Sequence, residues 1–356
     1  LRPPRALLDH PVSRSEVTTE SVEAWFRSAD YALESAYFEG YPPDALLDTT
    51  AKCFIYHCIR AMQPKVVVEI GTYKAGTSEL IARALWENGD GKLFTTDPLG
   101  GDEQLETIAS WPIELRPHVQ FLAMNSMEFF LALEDTGGKI DVAFIDGNHD
   151  FEFALFDIQM AARNIQRSGI ILIDNVEQSG VTFAAFDFLQ RNPDWNVIGR
   201  DFRTQLERSG SPFERKSDRS FADGAWTLAV LGAPGSYSAT STNPFTTRNQ
   251  KVDASVVTGF VLHPAPRATH HCDRFHWEVL YSTFPPAGSP IQINRRGTCT
   301  YGNDPIRVVF DEAIRVDEPG ALIEITFLPE AVPGVEARMS FDGIELLAEN
   351  GAQRIR

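Results

Sequence analysis

One short stretch constrains this chain more than any other: Val66-Val67-Val68-Glu69-Ile70, followed directly by Gly71-Thr72-Tyr73-Lys74-Ala75-Gly76-Thr77-Ser78. An apolar run rich in β-branched residues reads as a strand buried on both faces, as in a parallel sheet. It ends in an acidic residue and a loop bracketed by glycines. The next segment, Glu79 to Trp86, has helical composition and spacing. A strand, a glycine turn and a helix are the parts from which an open α/β sheet builds a cofactor crevice at its strand ends. Backbone N–H groups of such a loop, with the helix N-terminus, suit an anionic group.

The glycine spacing narrows the choice of cofactor. A dinucleotide fingerprint reads G-x-G-x-x-G, whereas here the glycines stand as Gly71-x-x-x-x-Gly76. A P-loop has lysine after its last glycine, and here Thr77 and Ser78 follow instead. The next expected strand, Lys92 to Thr96, ends in Asp97. A carboxylate at that second strand end can accept hydrogen bonds from both hydroxyls of a ribose. A glycine loop by itself is most often a structural turn. The strand before it, the helix after it and Asp97 together point to a cofactor.

Taken together, Val-Glu-Ile-Gly-Thr-Tyr-Lys-Ala-Gly-Thr-Ser resembles the S-adenosylmethionine loop of class I methyltransferases. It is closest to the metal-dependent small-molecule O-methyltransferases of the sugar and catechol type. The resemblance covers roughly residues 50 to 231. It implies a Rossmann-like, mostly parallel α/β sheet with an antiparallel closing strand. It also implies that Glu69, Gly71, Thr72, Tyr73, Gly76, Thr77 and Ser78 hold the methionine end of the cofactor, and Asp97 the ribose. Asn125-Ser126, after the strand Val119 to Ala123, stands where the family often has Gly-Asp-Ser beside the adenine, a partial match.

A second constellation concerns chemistry. Ile140 to Ile145 reads as a buried strand followed by Asp146-Gly147-Asn148-His149-Asp150. After a helical segment (Phe151 to Ile165) and a Ser168-Gly169 break comes Ile170 to Ile173, then Asp174-Asn175. Neighbouring parallel strands would bring Asp146 beside Asp174-Asn175. Two carboxylates and an amide oxygen are hard ligands suited to Mg²⁺ or another divalent cation. Asp146 lies at the edge where the glycine loop places the cofactor, and is assigned to both.

His149 stands three positions after Asp146, within reach of the same site. A hydroxyl on a metal becomes more acidic, and a nearby imidazole can take its proton near neutral pH. The resemblance supports His149 as the base: sugar enzymes of the family carry Asp-x-x-His here, whereas catechol-type enzymes carry lysine. Asp174-Asn175 looks more like the catechol type, so the chain mixes the two patterns. Asp150 is the competing base. Each residue also has an ordinary reading, since Asp146-Gly147 and Asp174-Asn175 suit turns and helix caps.

At 356 residues the chain is long enough for two domains. A formal charge of −17 argues against a nucleic-acid partner. No apolar run reaches membrane-spanning length. The N-terminal Leu1-Arg2-Pro3-Pro4-Arg5 has no apolar signal core. Cys53, Cys58, Cys272 and Cys299 form no dense framework, so reduced thiols in a cytoplasm are the expectation.

Residues 1–62 are expected to form an N-terminal helical cover broken at Tyr41-Pro42-Pro43, carrying much of a homo-oligomer contact in the family. Residues 63–232 form the methyltransferase domain, with Trp195 to Ile198 and Ala225 to Leu231 as a closing antiparallel pair. Arg200 to Asp223 is polar and reads as a lid over the acceptor or a surface insertion. Residues 233–250 have linker composition. Short strands at 256–262, 276–281, 306–310, 321–327 and 337–341 make residues 251–356 a small β-sandwich. His263, His270, His271 and His276 fall there with Cys272, but no Cys-x-x-Cys completes a zinc pattern. A solvated loop is therefore expected.

The reading is an O-methyltransferase acting on a small-molecule hydroxyl, a sugar or sugar-bearing natural product before a catechol. A non-catalytic saccharide-binding protein is the alternative from a different class.

Overall fold

The computed structural model describes residues 7–8, 10–136, 138–199, 227–235, 237–242, 244–247, 250–252, 256–265, 272–283, 291–316, 321–330, 337–349 and 351–355. The chain divides into two units, Leu1–Pro234 and Gly235–Arg356.

The first unit begins with α1 (Thr19–Phe26), α2 (Ala29–Phe38) and α3 (Thr49–Met62). Each starts where a side-chain oxygen takes an otherwise unpaired backbone N–H: Thr18 accepts from Ser21, Ser28 from Tyr31 and Asp48 from Ala51. Strands and helices then alternate. They are β1 (Val66–Ile70), α4 (Gly76–Asn88), β2 (Lys92–Thr96), α5 (Asp102–Ser110), β3 (Val119–Leu122), α6 (Ser126–Asp135) and β4 (Ile140–Ile145). After these come α7 (Phe151–Asn164), β5 (Ile165–Ile173), α8 (Ser179–Arg191), β6 (Asn196–Val197) and β7 (Ala229–Gly232).

These strands form one seven-stranded sheet in the order β3-β2-β1-β4-β5-β7-β6. β1 to β5 are parallel, while β7 runs antiparallel to both β5 and β6. The strand order reverses direction between β1 and β4, the place where an open α/β sheet leaves a crevice above its strand ends. Strand residues alternate between faces. Val67, Val142, Phe144, Leu172 and Val230 pack with the α3 and α4 side, while Val68, Ala143, Ile145, Ile171 and Leu231 pack with α7 and α8.

β5 runs through the break expected at Ser168-Gly169. Its pairing with β4 shifts register between Ile140 and Val142, and Ser168 takes a left-handed φ of 57°. An irregularity of this kind absorbs a turn-like pair without ending the strand. The expected lid, Arg200 to Asp223, lies outside the described residues.

The second unit is all β. One five-stranded sheet contains β9 (Phe245–Thr246), β10 (Gln250–Lys251), β12 (Arg274–Thr283), β13 (Ile291–Thr300) and β15 (Leu322–Pro329). The other contains β8 (Tyr237–Thr240), β11 (Val256–Pro264), β14 (Ile306–Arg315), β16 (Arg338–Ala348) and β17 (Gly351–Arg354). The long strands pair antiparallel, and Phe260, Trp277, Phe327 and Phe341 from both sheets share one core. Residues 233–250, linker-like in composition, thus contribute β8, β9 and the start of β10 to these sheets. Serine and threonine content resembles a linker but serves equally in edge strands.

β13 was absent from the strands expected from sequence, because Ile-Gln-Ile-Asn-Arg-Arg-Gly lacks an apolar alternation. It is an edge strand. Gly297 leaves room for the Trp277 ring, since a Cβ there would fall 2.7 Å from Cζ2. Arg295 reaches Glu312 at 3.1 Å, joining the edge strands of the two sheets.

Candidate functional site

Register sets the site. Ile70 pairs with Thr96 and with Ile145, and Ile145 pairs with Ile173. The residues that follow, Gly71, Asp97, Asp146 and Asp174, therefore leave the sheet at one level. Three expected carboxylates and the glycine loop share one edge because four strands stop in step.

The two glycines serve close backbone crossings. Gly71 has φ 97°, and a Cβ there would lie 2.0 Å from the carbonyl oxygen of Asp146. At Gly76 a Cβ would lie 2.0 Å from the amide nitrogen of Ala45, so the segment before α3 rests directly on the start of α4. Tyr73 and Ala75 between them adopt left-handed φ values of 44° and 60°. Such backbone is held only where its surroundings enforce it.

Glu69 is fully buried and ties the loop to the sheet. Its Oε2 accepts hydrogen bonds from the Ser78 hydroxyl and, at 2.5 Å, from Thr95, whose hydroxyl pairs with that of Thr72 at 2.6 Å. Oε1 has no partner. Burial pushes Glu69 up to about 8, against the pull of the two hydroxyl donors. Thr72, Thr77 and Ser78 are likewise buried, so this part of the expected cofactor set braces the loop from beneath.

Asp97 faces the loop from β2. Its Oδ2 accepts from the Tyr73 amide and its Oδ1 from the Leu99 amide, each at 2.9 Å. Both oxygens retain a lone pair for a ligand hydroxyl. Buried Gln104 on α5 completes the bracket, donating to the Tyr73 carbonyl at 2.5 Å and accepting from the Gly101 amide at 2.8 Å. Sequence reasoning missed Gln104. Its only signal is a position three residues after a glycine at a helix start, where a side chain can cap its own helix.

Asn125 is exposed and caps α6, accepting from the Glu128 amide at 2.9 Å while Glu128 reaches back to the Asn125 amide. Ser126 bonds to buried Asp157 of α7, whose carboxyl is raised to about 6 by burial against that bond. Asn125-Ser126 thus stands at the strand edge with both of its side chains engaged by helices, Asn125 by α6 and Ser126 by α7.

The chemical end of the site lies over β4 and β5. His149 Nε2 stands 3.5 Å from Asp146 Oδ1. The nearby Asp146 carboxylate raises the His149 pKa, helped by Gln178 and Glu177 and opposed by burial, although Nε2 is too far from it for a hydrogen bond. Burial raises Asp146 despite His149. Asp174 is 6 % exposed, and its Oδ1 has no hydrogen-bond partner among the described residues. Burial raises its pKa well above the usual carboxylate range, and the charges of Asp146, Glu177 and Asp48 add to this. Asn175 takes a left-handed φ of 55° and donates its amide to Glu177 Oε1 at 3.0 Å. Asp150, the competing base, is exposed at the start of α7.

Residues 68–176 match the model of a family described as a methyltransferase domain. This part of the chain is similar to a methyltransferase domain. The fold is similar to that of cofactor-bound Rv0187 from MTB, at 19 % identity over 62 % of this chain and 99 % of that one, TM-score 0.40. It is also similar to an O-methyltransferase from Bacillus cereus solved with SAH, at 14 % identity over 60 % of this chain and 96 % of that one, TM-score 0.39. A third similar structure is the O-methyltransferase TomG from Streptomyces achromogenes, involved in tomaymycin synthesis and solved with SAM. Identity there is 17 % over 60 % of this chain and 96 % of that one, TM-score 0.40. No curated protein matches the sequence.

The donor set over β4 and β5 fits a divalent cation. Asp174 presents an unpartnered buried oxygen, Asp146 is one strand away, and Asn175 adds an amide oxygen. A buried carboxylate whose proton affinity is raised further by a neighbouring carboxylate, as Asp174 is by Asp146, is the electrostatic state that a cation relieves. Among the described residues, no three His, Cys, Asp or Glu side chains converge tightly enough to ligate one ion directly. Of the histidine and cysteine group in the second unit, His270 and His271 lie outside the described residues. Cys272 bonds to the Arg274 carbonyl, and His276 bonds to Thr298 and faces Glu330. No described helix is long and apolar enough to cross a membrane.

Proposed function

We propose that this protein is a divalent-cation-dependent O-methyltransferase that moves the methyl group of S-adenosylmethionine to a hydroxyl of a small molecule. A sugar or sugar-bearing natural product is the favoured acceptor. The observation that carries this reading is the alignment of Asp146, His149 and the unpartnered Asp174 with the glycine loop along one strand edge.

Bound S-adenosylmethionine supplies a sulfonium methyl group. Transfer of that methyl group to an acceptor oxygen would leave the carbon–sulfur electron pair on sulfur. Asp146, Asp174 and Asn175 would hold Mg²⁺ or a similar cation, whose charge makes an acceptor hydroxyl more acidic and offsets the two carboxylates. His149 takes the hydroxyl proton at Nε2, the ring nitrogen facing Asp146. Asp146 and Gln178 keep the ring oriented and favour the protonated imidazolium that forms. Asp97 accepts the cofactor's ribose hydroxyls, while Glu69, Ser78 and Thr95 keep the loop under its methionine end in shape.

A phenolic acceptor is the second reading. It rests on Asn175, whose amide nitrogen is engaged by Glu177 so that its oxygen is the free end. In both cases an acceptor with neighbouring hydroxyls suits the site.

Calorimetric titration of S-adenosylmethionine with and without Mg²⁺, on the native chain and on Asp146→Ala and Asp174→Ala, tests the proposal. Cofactor binding by all three, with the Mg²⁺ response lost in both variants, is the expected result. Failure of the native chain to bind the cofactor would refute it. Screening sugar and catechol acceptors then separates the two readings.

A further inference from the structure

A further carboxylate, Asp48, approaches the same edge from outside the sheet. It ends the segment that follows α2, and caps α3 by accepting from the Ala51 amide at 2.8 Å. Its other oxygen accepts from the Thr227 hydroxyl at 3.3 Å. Thr227 stands just before β7, which runs antiparallel to β5 with Ala229 opposite Ile173, so Thr227 lies at the end of the sheet where Asp174 emerges. The Thr227 carbonyl accepts from the Val176 amide at 3.1 Å, which closes a chain of contacts from Asp48 to the Asp174-Asn175-Val176 turn. Asp48 is exposed, and a single residue, Thr227, bridges it to the turn that follows Asp174. Lys52, one turn along α3, feels the Asp48 charge, but its ammonium is turned to the Pro42 carbonyl oxygen at 3.3 Å.

The segment that Asp48 ends also crosses the cofactor loop. Asp44 and Ala45 pack so closely on Gly76 that a Cβ there would overlap their backbone. One short strap therefore rests on the glycine loop at one end and, through Thr227, reaches the turn that follows Asp174 at the other. A row of acidic groups is weak evidence for a ligand by itself. Here the nine-tenths-buried Asp174, with an oxygen that no group among the described residues satisfies, marks where positive charge belongs.

On the reading given above, we propose that Asp48 is a third anionic contact for the divalent cation, made through the cation's water molecules. The strap 42–48 thereby couples cation binding to cofactor binding. A water-mediated contact agrees with Mg²⁺ keeping several waters, and with the absence, among the described residues, of three direct ligands of the His, Cys, Asp or Glu type. The cation would draw Asp48 toward Asp174 and hold Ala45 on Gly76. Each ligand then finds the strap already ordered by the other, which is a reciprocal coupling.

Asp48→Asn tests this without removing the cap of α3, because asparagine caps as well as aspartate does. Mg²⁺ alone is titrated calorimetrically into the native chain and the variant, and S-adenosylmethionine is titrated into each with and without saturating Mg²⁺. The expected result is a Mg²⁺ dissociation constant about tenfold higher in the variant, as loss of one nearby charge implies. Mg²⁺ tightens cofactor binding in the native chain and ceases to do so in the variant, while metal-free cofactor affinity stays within about twofold. Unchanged Mg²⁺ affinity, or coupling that survives the substitution, overturns the role of Asp48 and leaves the methyltransferase reading standing. A native chain that binds no cofactor or no Mg²⁺ overturns both. A thermal melt of the variant confirms that it is folded.

Discussion

The backbone N–H of Tyr73 donates to Asp97 Oδ2 at 2.9 Å, so the carboxylate assigned to the cofactor's ribose also holds the loop assigned to its methionine end. The Tyr73 carbonyl is held in turn by Gln104. A peptide gripped at both its N–H and its C=O has little freedom, and a binding loop ordered before the ligand arrives loses less entropy on binding.

Gln104→Ala removes that grip on one side. The cofactor dissociation constant is expected to rise about tenfold, in line with the net worth of a hydrogen bond or two, while kcat at saturating cofactor changes less. Gln104→Glu keeps the bond from Gly101, loses the donor to Tyr73, and should fall between. Titration of S-adenosylmethionine with each variant is the measurement. Equal affinity across the series would show that Gln104 matters only to α5.

Gly76 differs from Gly71 in having no left-handed φ; its requirement is space. Gly76→Ala forces the Ala45 backbone away and should destabilise the first unit by about 2 kcal/mol or more, the range of overpacked interiors. Denaturant unfolding measures this. Cofactor affinity should fall as well, because the displaced segment lies over the loop.

His149→Ala should lower kcat by about a hundredfold or more, as for loss of a general base, with cofactor affinity little changed. Asp150→Asn should leave kcat within a few-fold. Steady-state kinetics on the two variants decide between the bases, and the opposite ranking would assign the role to Asp150.

Glu34 supplies a pH-dependence away from the site. It is fully buried on α2, accepts from Trp25 Nε1 at 2.9 Å, and is raised to about 8 by burial against that bond. The native state therefore holds a proton that the unfolded chain releases near pH 4.5. Its stabilising influence is complete below that pH and is lost as pH rises through about 8. Glu34→Gln keeps an acceptor for Trp25 and removes the titration. The variant should match the native chain near pH 4.5 and exceed it by a few kcal/mol at most near pH 8, since a tenfold change in proton affinity is worth about 1.4 kcal/mol. Unfolding curves at several pH values give the slope; a parallel dependence in both proteins would exclude Glu34 as its source.

Much of the first unit was legible in the sequence. The strands at 66–70, 92–96 and 140–145 match the structure because continuous β-branched runs have few other ways to be buried. Asp97, Asp146 and Asp174 were found by their places just after such runs. β13 was not found, since an edge strand half exposed to water needs no apolar alternation. Gln104 and Asp48 were not found because their roles depend on partners far away in sequence, Tyr73 and Thr227.

By itself the sequence determined the alternating sheet, its closing antiparallel pair, the glycine loop and the list of acidic residues at the strand ends. Those are local matters of side-chain shape, periodicity and backbone freedom. Only the tertiary structure decided that four strands end in register, that Glu69 is sealed beneath the loop, that Gly76 exists to let Ala45 approach, and that Asp48 joins the edge from outside the sheet. Strand register and backbone crossings are set by how whole layers pack, and packing is a property of residues that meet in space after the chain has folded.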